Sequence, residues 1–294
     1  MEKVNQRKKL NYTIHNFKTS DNITLNGILN QSKSKQNNST IILHIHGMCS
    51  DLLSNVGQLV SETANKNKFS SFIINTRGHG IVSSFKQTNK DGTKSYHTGG
   101  TAYEIFEDSQ IDIQAGIDYL KTLGYNKIIL SGHSTGCQKI INYQLNNLKT
   151  KTVKALILLA PGDDLNVEKR DNSEFQKTLK LSKEKFNSKA LFATHDFGLL
   201  SAKRFYNLFK KTSIESNLFN YTKNLEYLKQ IKIPILSLIG DEDPYFLDVQ
   251  KATINIKNNL KNRKSNSILT KGNHSYYGAE VECARHIIDF LNKL

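Results

Sequence analysis

Six short aliphatic runs recur through the chain without alternating with polar residues. They are Ile41–Ile45 within TIILHI, Phe72–Asn75 (FIIN), Lys127–Ser131 (KIILS), Val153–Ala160 (VKALILLA), Ile233–Ile239 (IPILSLI) and Ser267–Leu269 (SIL). A strand that is apolar at successive positions is one whose two faces are both covered, which is the situation of a parallel sheet between helical layers. Between the runs lie segments of helical period: Ser54–Lys68, Ala102–Leu123, Cys137–Leu148, Val249–Leu260 and Ala279–Leu294. Strand–helix alternation of this kind predicts an α/β fold with a mainly parallel central sheet flanked by helices. At the start, residues 12–18 and 23–30, separated by TSDN, read as a hairpin.

One interval breaks the rhythm. After Pro161-Gly162-Asp163-Asp164 the chain runs to about Lys232 with no convincing buried strand, through charged segments such as NSEFQKTLKLSKEKF, SAKRFYNLFKK and NYTKNLEYLKQ. Their Phe, Leu and Tyr residues recur at three- and four-residue spacing, as in helices. An insertion at the C-terminal end of a sheet strand lies above the crevice where open α/β sheets bind ligands. The expected organisation is therefore a core in two parts, residues 1–162 and 233–294, with residues 163–232 as a helical cap. Most of the cap's apolar residues are needed to pack it onto the core, and the rest are available to line an acyl pocket.

Gly132-His133-Ser134-Thr135-Gly136 fits G-x-S-x-G, directly after KIILS and directly before the helical period CQKIINYQL. A serine at a sharp strand-to-helix turn projects its hydroxyl above the sheet edge, and flanking glycines avoid collision with the neighbouring strand and helix. Ser134 is the expected nucleophile. It needs a base, and His274, in the loop after the last strand, can lean over the same edge. His133 is expected to pack the turn, and His44 and His46 lack the nearby acids of a metal site. The base needs an acid to hold its tautomer. Asp243 in Gly240-Asp241-Glu242-Asp243-Pro244 reaches furthest towards His274, with Asp241 closer to the strand end; Asp163 and Asp164 also follow a strand and remain alternatives. For the oxyanion, the expected donors are the backbone N–H groups of Thr135 and of Met48, at the turn His46-Gly47-Met48.

With these pieces, and with Arg77-Gly78-His79-Gly80 and Gly272-Asn273-His274-Ser275, the sequence resembles the α/β-hydrolase superfamily from about residue 12 onward, in its capped esterase, lipase and serine-aminopeptidase-like branch. Gly99-Gly100-Thr101-Ala102-Tyr103-Glu104, before Asp108 and Asp112, also resembles a group related to siderophore-ester hydrolases. The resemblance implies that Ser134, Asp243 and His274 are catalytic, that Met48 and Thr135 form the oxyanion hole, and that His46, Gly47, Arg77 and His133 support it. His46-Gly47-Met48-Cys49 departs from the HGGG-type loop, which disfavours the branch acting on tertiary-alcohol esters. The implied reaction is hydrolysis of a small-molecule carboxylic ester through an acyl-enzyme, with no metal or organic cofactor. Amidase, peptidase and thioesterase chemistry, or a non-catalytic binding protein on this fold, are the alternatives.

Composition bounds the partners. Among 294 residues, 41 Lys+Arg face 26 Asp+Glu, a formal net charge of +15. The excess is mostly lysine, scattered singly, with its densest clusters at Arg7-Lys8-Lys9 and Lys261–Lys264. No zinc-finger spacing or nucleic-acid-binding loop accompanies it, so a specific nucleic-acid partner is not expected, while peripheral contact with anionic lipid stays open. The longest aliphatic stretch is too short to span a bilayer, and the N-terminal MEKVNQRKKLNYTIHN lacks the apolar segment of a secretory signal. Three cysteines, Cys49, Cys137 and Cys283, form no disulfide framework. A cytoplasmic, reduced protein is expected, of open oligomeric state.

Overall fold

A computed structural model describes residues 12–34, 36, 39–169, 172–188, 190–194 and 197–294. The Arg7-Lys8-Lys9 cluster and most of the N-terminal stretch lie outside these. In chain order the elements begin with strands β1 (Thr13–Lys18), β2 (Thr24–Asn30) and β3 (Thr40–Ile45), helix α1 (Asn55–Lys66), and strands β4 (Ser70–Ile74), β5 (Ser83–Thr88) and β6 (Lys94–Gly99). Next come α2 (Ser109–Thr122), β7 (Lys127–His133), α3 (Thr135–Asn146) and β8 (Val153–Leu159). The chain continues through α4 (Asp164–Glu168), α5 (Asn172–Glu184), β9 (Leu191–Ala193), β10 (Leu199–Ser201), α6 (Ala202–Phe209) and α7 (Ile214–Leu218). It closes with β11 (Ile235–Gly240), α8 (Val249–Asn259), β12 (Asn266–Thr270) and α9 (Glu280–Leu291).

Eight strands form one sheet in the order β1-β2-β4-β3-β7-β8-β11-β12. The β1–β2 hairpin and the β2–β4 pair are antiparallel, and the other pairs are parallel. The unbroken apolar runs now have their cause. Ile41, Leu43 and Ile45 point into one cluster with Ile113, Ile117, Ile140, Ile141 and Ile256 of α2, α3 and α8. Ile42 points into the opposite cluster with Val56, Val60, Ile287 and Phe290 of α1 and α9. Because successive side chains leave a strand on opposite faces, a sheet covered twice needs apolar residues at every position.

Three local features differ from the sequence reading. The helical period at Ala102 does not begin a helix there: α2 starts at Ser109, after a short 3₁₀ turn at Phe106–Asp108. Thr101, Ala102 and Glu104 are instead buried in the turn that follows β6. Strands β5 and β6 were not anticipated. They form a separate two-stranded sheet, and the mostly polar SSFKQT of β5 buries only Phe85. The third difference is β9 and β10, a two-stranded hairpin in a segment read as wholly helical.

Residues 163–232 also divide by packing. Leu165, Phe175, Phe197, Leu200, Phe205, Leu208 and Phe209 form a cluster of their own, with Met48 and Tyr245 of the core packed against it. Leu218, Phe219, Tyr221, Leu225, Leu228 and Ile231 belong to the main core. The division follows from topology. β8 and β11 are parallel neighbours, so the chain leaving the end of β8 must return across the whole length of the sheet before β11 can start. Residues 218–231 make that return along the core. A buried ionic cluster crosses the seam. Lys139 Nζ of α3 lies 2.6 Å from Glu104 Oε1, Arg204 of α6 lies 3.6 Å from Glu104 Oε2, and Arg204 also pairs with Glu215. Among the described residues no helix is long and apolar enough to cross a membrane.

Candidate active site

The ends of β3, β7, β11 and β12 converge on one edge of the sheet. At the end of β7 the chain reverses into α3 within one residue, and Ser134 takes φ 54° and ψ −127°. A residue with a side chain holds so rare a conformation at a cost of about 1–3 kcal/mol, and keeps it only where the surroundings enforce it. Here Ser134 N–H donates to Leu159 O at 2.9 Å and Cys137 N–H to Ser134 O at 2.8 Å. Both motif glycines are required by close approach. A Cβ on Gly132 would stand 2.4 Å from Gly136 O, and one on Gly136 would stand 2.3 Å from Ile45 O.

The turn after β3 lies against this elbow: a Cβ on Gly47 would fall 2.8 Å from Ser134 Cβ. His46 sets the direction of the next peptide. Its Nδ1 donates to Gly47 O at 2.8 Å while Nε2 accepts from Thr76 N–H at 3.1 Å. Burial keeps the imidazole neutral by pushing its pKa well below the usual histidine value. In a trans peptide C=O and N–H point opposite ways, so fixing Gly47 C=O on His46 also fixes the Met48 N–H. Neither that amide nor the Thr135 amide, at the first residue of α3, has a hydrogen-bond partner among the described residues. Thr101 braces the same turn, its Oγ1 accepting from Cys49 N–H at 2.7 Å and donating to Gly78 O at 3.1 Å.

His274 and Asp243 are in contact, with Nδ1 2.8 Å from Oδ2 and 3.0 Å from Oδ1. Asp243 is buried, and its Oδ1 also accepts from Tyr245 N–H at 2.9 Å. The other carboxylates are engaged elsewhere. Asp241 is held by Lys271 Nζ at 2.6 Å and by Gly272 N–H. Asp163 caps α4 through Asn166 N–H, and Asp164 accepts from Gln138 Nε2. Burial, then the nearby Glu215, pushes the Asp164 carboxyl well above the usual range.

His133 Nε2 donates to His274 O at 2.8 Å and the two rings stand 4.9 Å apart, so His133 ties the histidine loop to the elbow. Arg77 is buried and spans Asp112 and Asp21, fixing the turn after β4. The structure thus brings Asp243 to His274 and places Ser134 beside Gly47. It gives no hydrogen bond between the Ser134 hydroxyl and the His274 ring among the described residues. Such contacts are often loose without substrate. Sequence reasoning missed Tyr245, whose ring lies 4.4 Å from that of His274, and Thr101. Thr101 follows a Gly-Gly pair, a turn signal from which its place could have been found.

Residues 91–256 match a family described as "Protein of unknown function (DUF1749)". A Mycoplasma genitalium protein named "Putative esterase/lipase 3" is 26% identical over 195 residues, covering 59% of this chain and 66% of that protein. The matched region is thus just under two thirds of that relative's length. Three solved structures share the fold at 14–15% identity. The siderophore hydrolase EstB of Aspergillus fumigatus superposes with a TM-score of 0.67, covering 98% of this chain and 99% of its own. Est1E of Butyrivibrio proteoclasticus, solved with ferulic acid, gives 0.64 at 95% and 98% coverage. The mouse alpha/beta hydrolase domain-containing protein 10 gives 0.63 at 96% and 99%. The fold is the α/β-hydrolase fold.

Proposed function

Because the chain belongs to the DUF1749 family and has the α/β-hydrolase fold, we propose that it is a serine hydrolase cleaving small-molecule carboxylic esters. The observation that carries this reading is the strained Ser134 at the strand-to-helix turn, on the same edge as two unpartnered amides and a paired imidazole and carboxylate. Ser134 Oγ attacks the acyl carbon as His274 takes its proton. Asp243 holds Nδ1–H and stabilises the imidazolium, and the Met48 and Thr135 amides bind the oxyanion. The C–O bond to the alcohol breaks as His274 returns the proton to the leaving oxygen. Water, deprotonated by the same imidazole, then releases the acid and restores Ser134. An ester is favoured over an amide because an alcohol is the easier group to expel. The phenylalanine-rich layer from Leu165 to Phe209, seated on Met48, is the proposed lid over the acyl side.

The test is covalent labelling. A fluorophosphonate probe should add once to the wild type by intact mass and not at all to Ser134→Ala. A folded wild type that hydrolyses esters without ever labelling would remove Ser134 from its role.

A further inference from the structure

A cleft of about 420 Å³ opens against the elbow between the loop after β3 and the turn after β12. Its wall includes His133 and residues with no part in the mechanism above: Ser50, Asp51, Ser54, Asn55 and Tyr277. The hydrogen bonds already made decide what each group has left to offer. Asp51 Oδ1 accepts from Leu53 N–H at 2.7 Å, and Oδ2 has no partner among the described residues. Ser54 Oγ accepts from Gly57 N–H at 3.2 Å, leaving its O–H to donate. Tyr277 Oη accepts from Asn55 Nδ2, leaving its O–H likewise. His133 gives its Nε2–H to the His274 carbonyl, so the other ring nitrogen is a bare acceptor in a ring that burial keeps neutral.

We propose that this cleft seats the leaving-group alcohol of the ester, and that it selects a polyhydroxylated one, of the glycerol or sugar kind. The lining residues carry both acceptors (Asp51 Oδ2 and the second His133 ring nitrogen) and donors (the Ser54 and Tyr277 hydroxyls). A hydroxyl group both donates and accepts, so several on one ligand can satisfy such a wall. An alkyl alcohol makes none of these hydrogen bonds, whereas a polyhydroxylated one makes several. An anionic leaving group meets the Asp51 carboxylate. The lid layer, by contrast, is built of phenylalanines and leucines, so the two halves of the substrate face opposite chemistries.

This assignment rests on the ester-hydrolase reading, and one experiment separates the two. With glycerol monobutyrate and methyl butyrate the acyl group is constant. The wild type should prefer the glyceryl ester at least ~10-fold in kcat/KM. Asp51→Asn keeps an oxygen for Leu53 N–H but puts a donor where the free acceptor stood, and Tyr277→Phe removes a donor. Each should cut the glyceryl-to-methyl ratio by ~5–20-fold. If the protein neither labels with fluorophosphonate nor hydrolyses either ester, the hydrolase reading falls and the assignment with it. If it labels but shows no glyceryl preference, or if both variants keep the wild-type ratio, the cleft assignment alone is overturned.

Discussion

Asp241 and Asp243 stand two residues apart in one turn, and their neighbours give them different work. Asp241 ties the loop after β12 to the end of β11 through Lys271 and Gly272 N–H, whereas Asp243 meets the His274 ring from inside. Asp243→Asn should lower kcat by ~10³–10⁴-fold with little change in KM, as losing the orienting acid does in serine hydrolases generally. Asp241→Asn, which loosens an exposed ion pair, should cost less than ~10-fold in steady-state assays of the same ester. A second residue-scale expectation concerns His44. It is fully buried against Ser131 Oγ, and burial lowers its pKa to about 3. Folded His44 therefore stays neutral while the unfolded chain binds a proton below about pH 6.5, so its contribution to stability is whole above that pH and is lost as pH falls towards 3. Between pH 7 and 5 the wild type should lose about 2 kcal/mol relative to His44→Asn, read as the change in their stability difference by urea unfolding.

At the level of elements, the elbow depends on β3, β7 and α3 approaching more closely than side chains permit. Gly136→Ala should force its Cβ against Ile45 O and destabilise the fold by about 3 kcal/mol or more, measured by chemical denaturation. Both the sheet and the elbow were legible in the sequence for one reason: they impose residue types at fixed positions. Doubly covered strands demand unbroken apolar runs, and the crossing at Ser134 demands two glycines. Strands β5 and β6 impose little, since a two-stranded arm that buries one phenylalanine tolerates almost any polar sequence. The start of α2 was misread because Ala102 and Ile105 keep the helical spacing while the backbone, after Gly100 at φ 86°, is still completing a turn. The role of residues 218–231 was hidden because their period matches that of the lid. Only the parallel pairing of β8 with β11 tells a return along the core from a layer above it.

Across the whole molecule, the proposed lid and the core are joined by charges removed from water. Glu104, Lys139, Arg204 and Glu215 are all almost completely buried, two acids with two bases, and Asp164 beside them is held towards its neutral form. Deleting one member of such a set strands its partner and costs about 3–5 kcal/mol.

The division of the long connection into a proposed lid and a return path also bears on how such a protein can be remodelled. The return path runs along the core, and residues 164–209 contribute no strand to the eight-stranded sheet. That stretch rests on the core through the charges at its footing, the apolar floor at Met48 and Tyr245, and hydrogen bonds such as Ser201 N–H to Ala102 O. A foreign lid carrying an arginine at the position of Arg204 could be transplanted there, giving a new acyl preference to an unaltered nucleophile. On the proposed reading, exchanging lids over a fixed chassis would change the substrate and keep the chemistry.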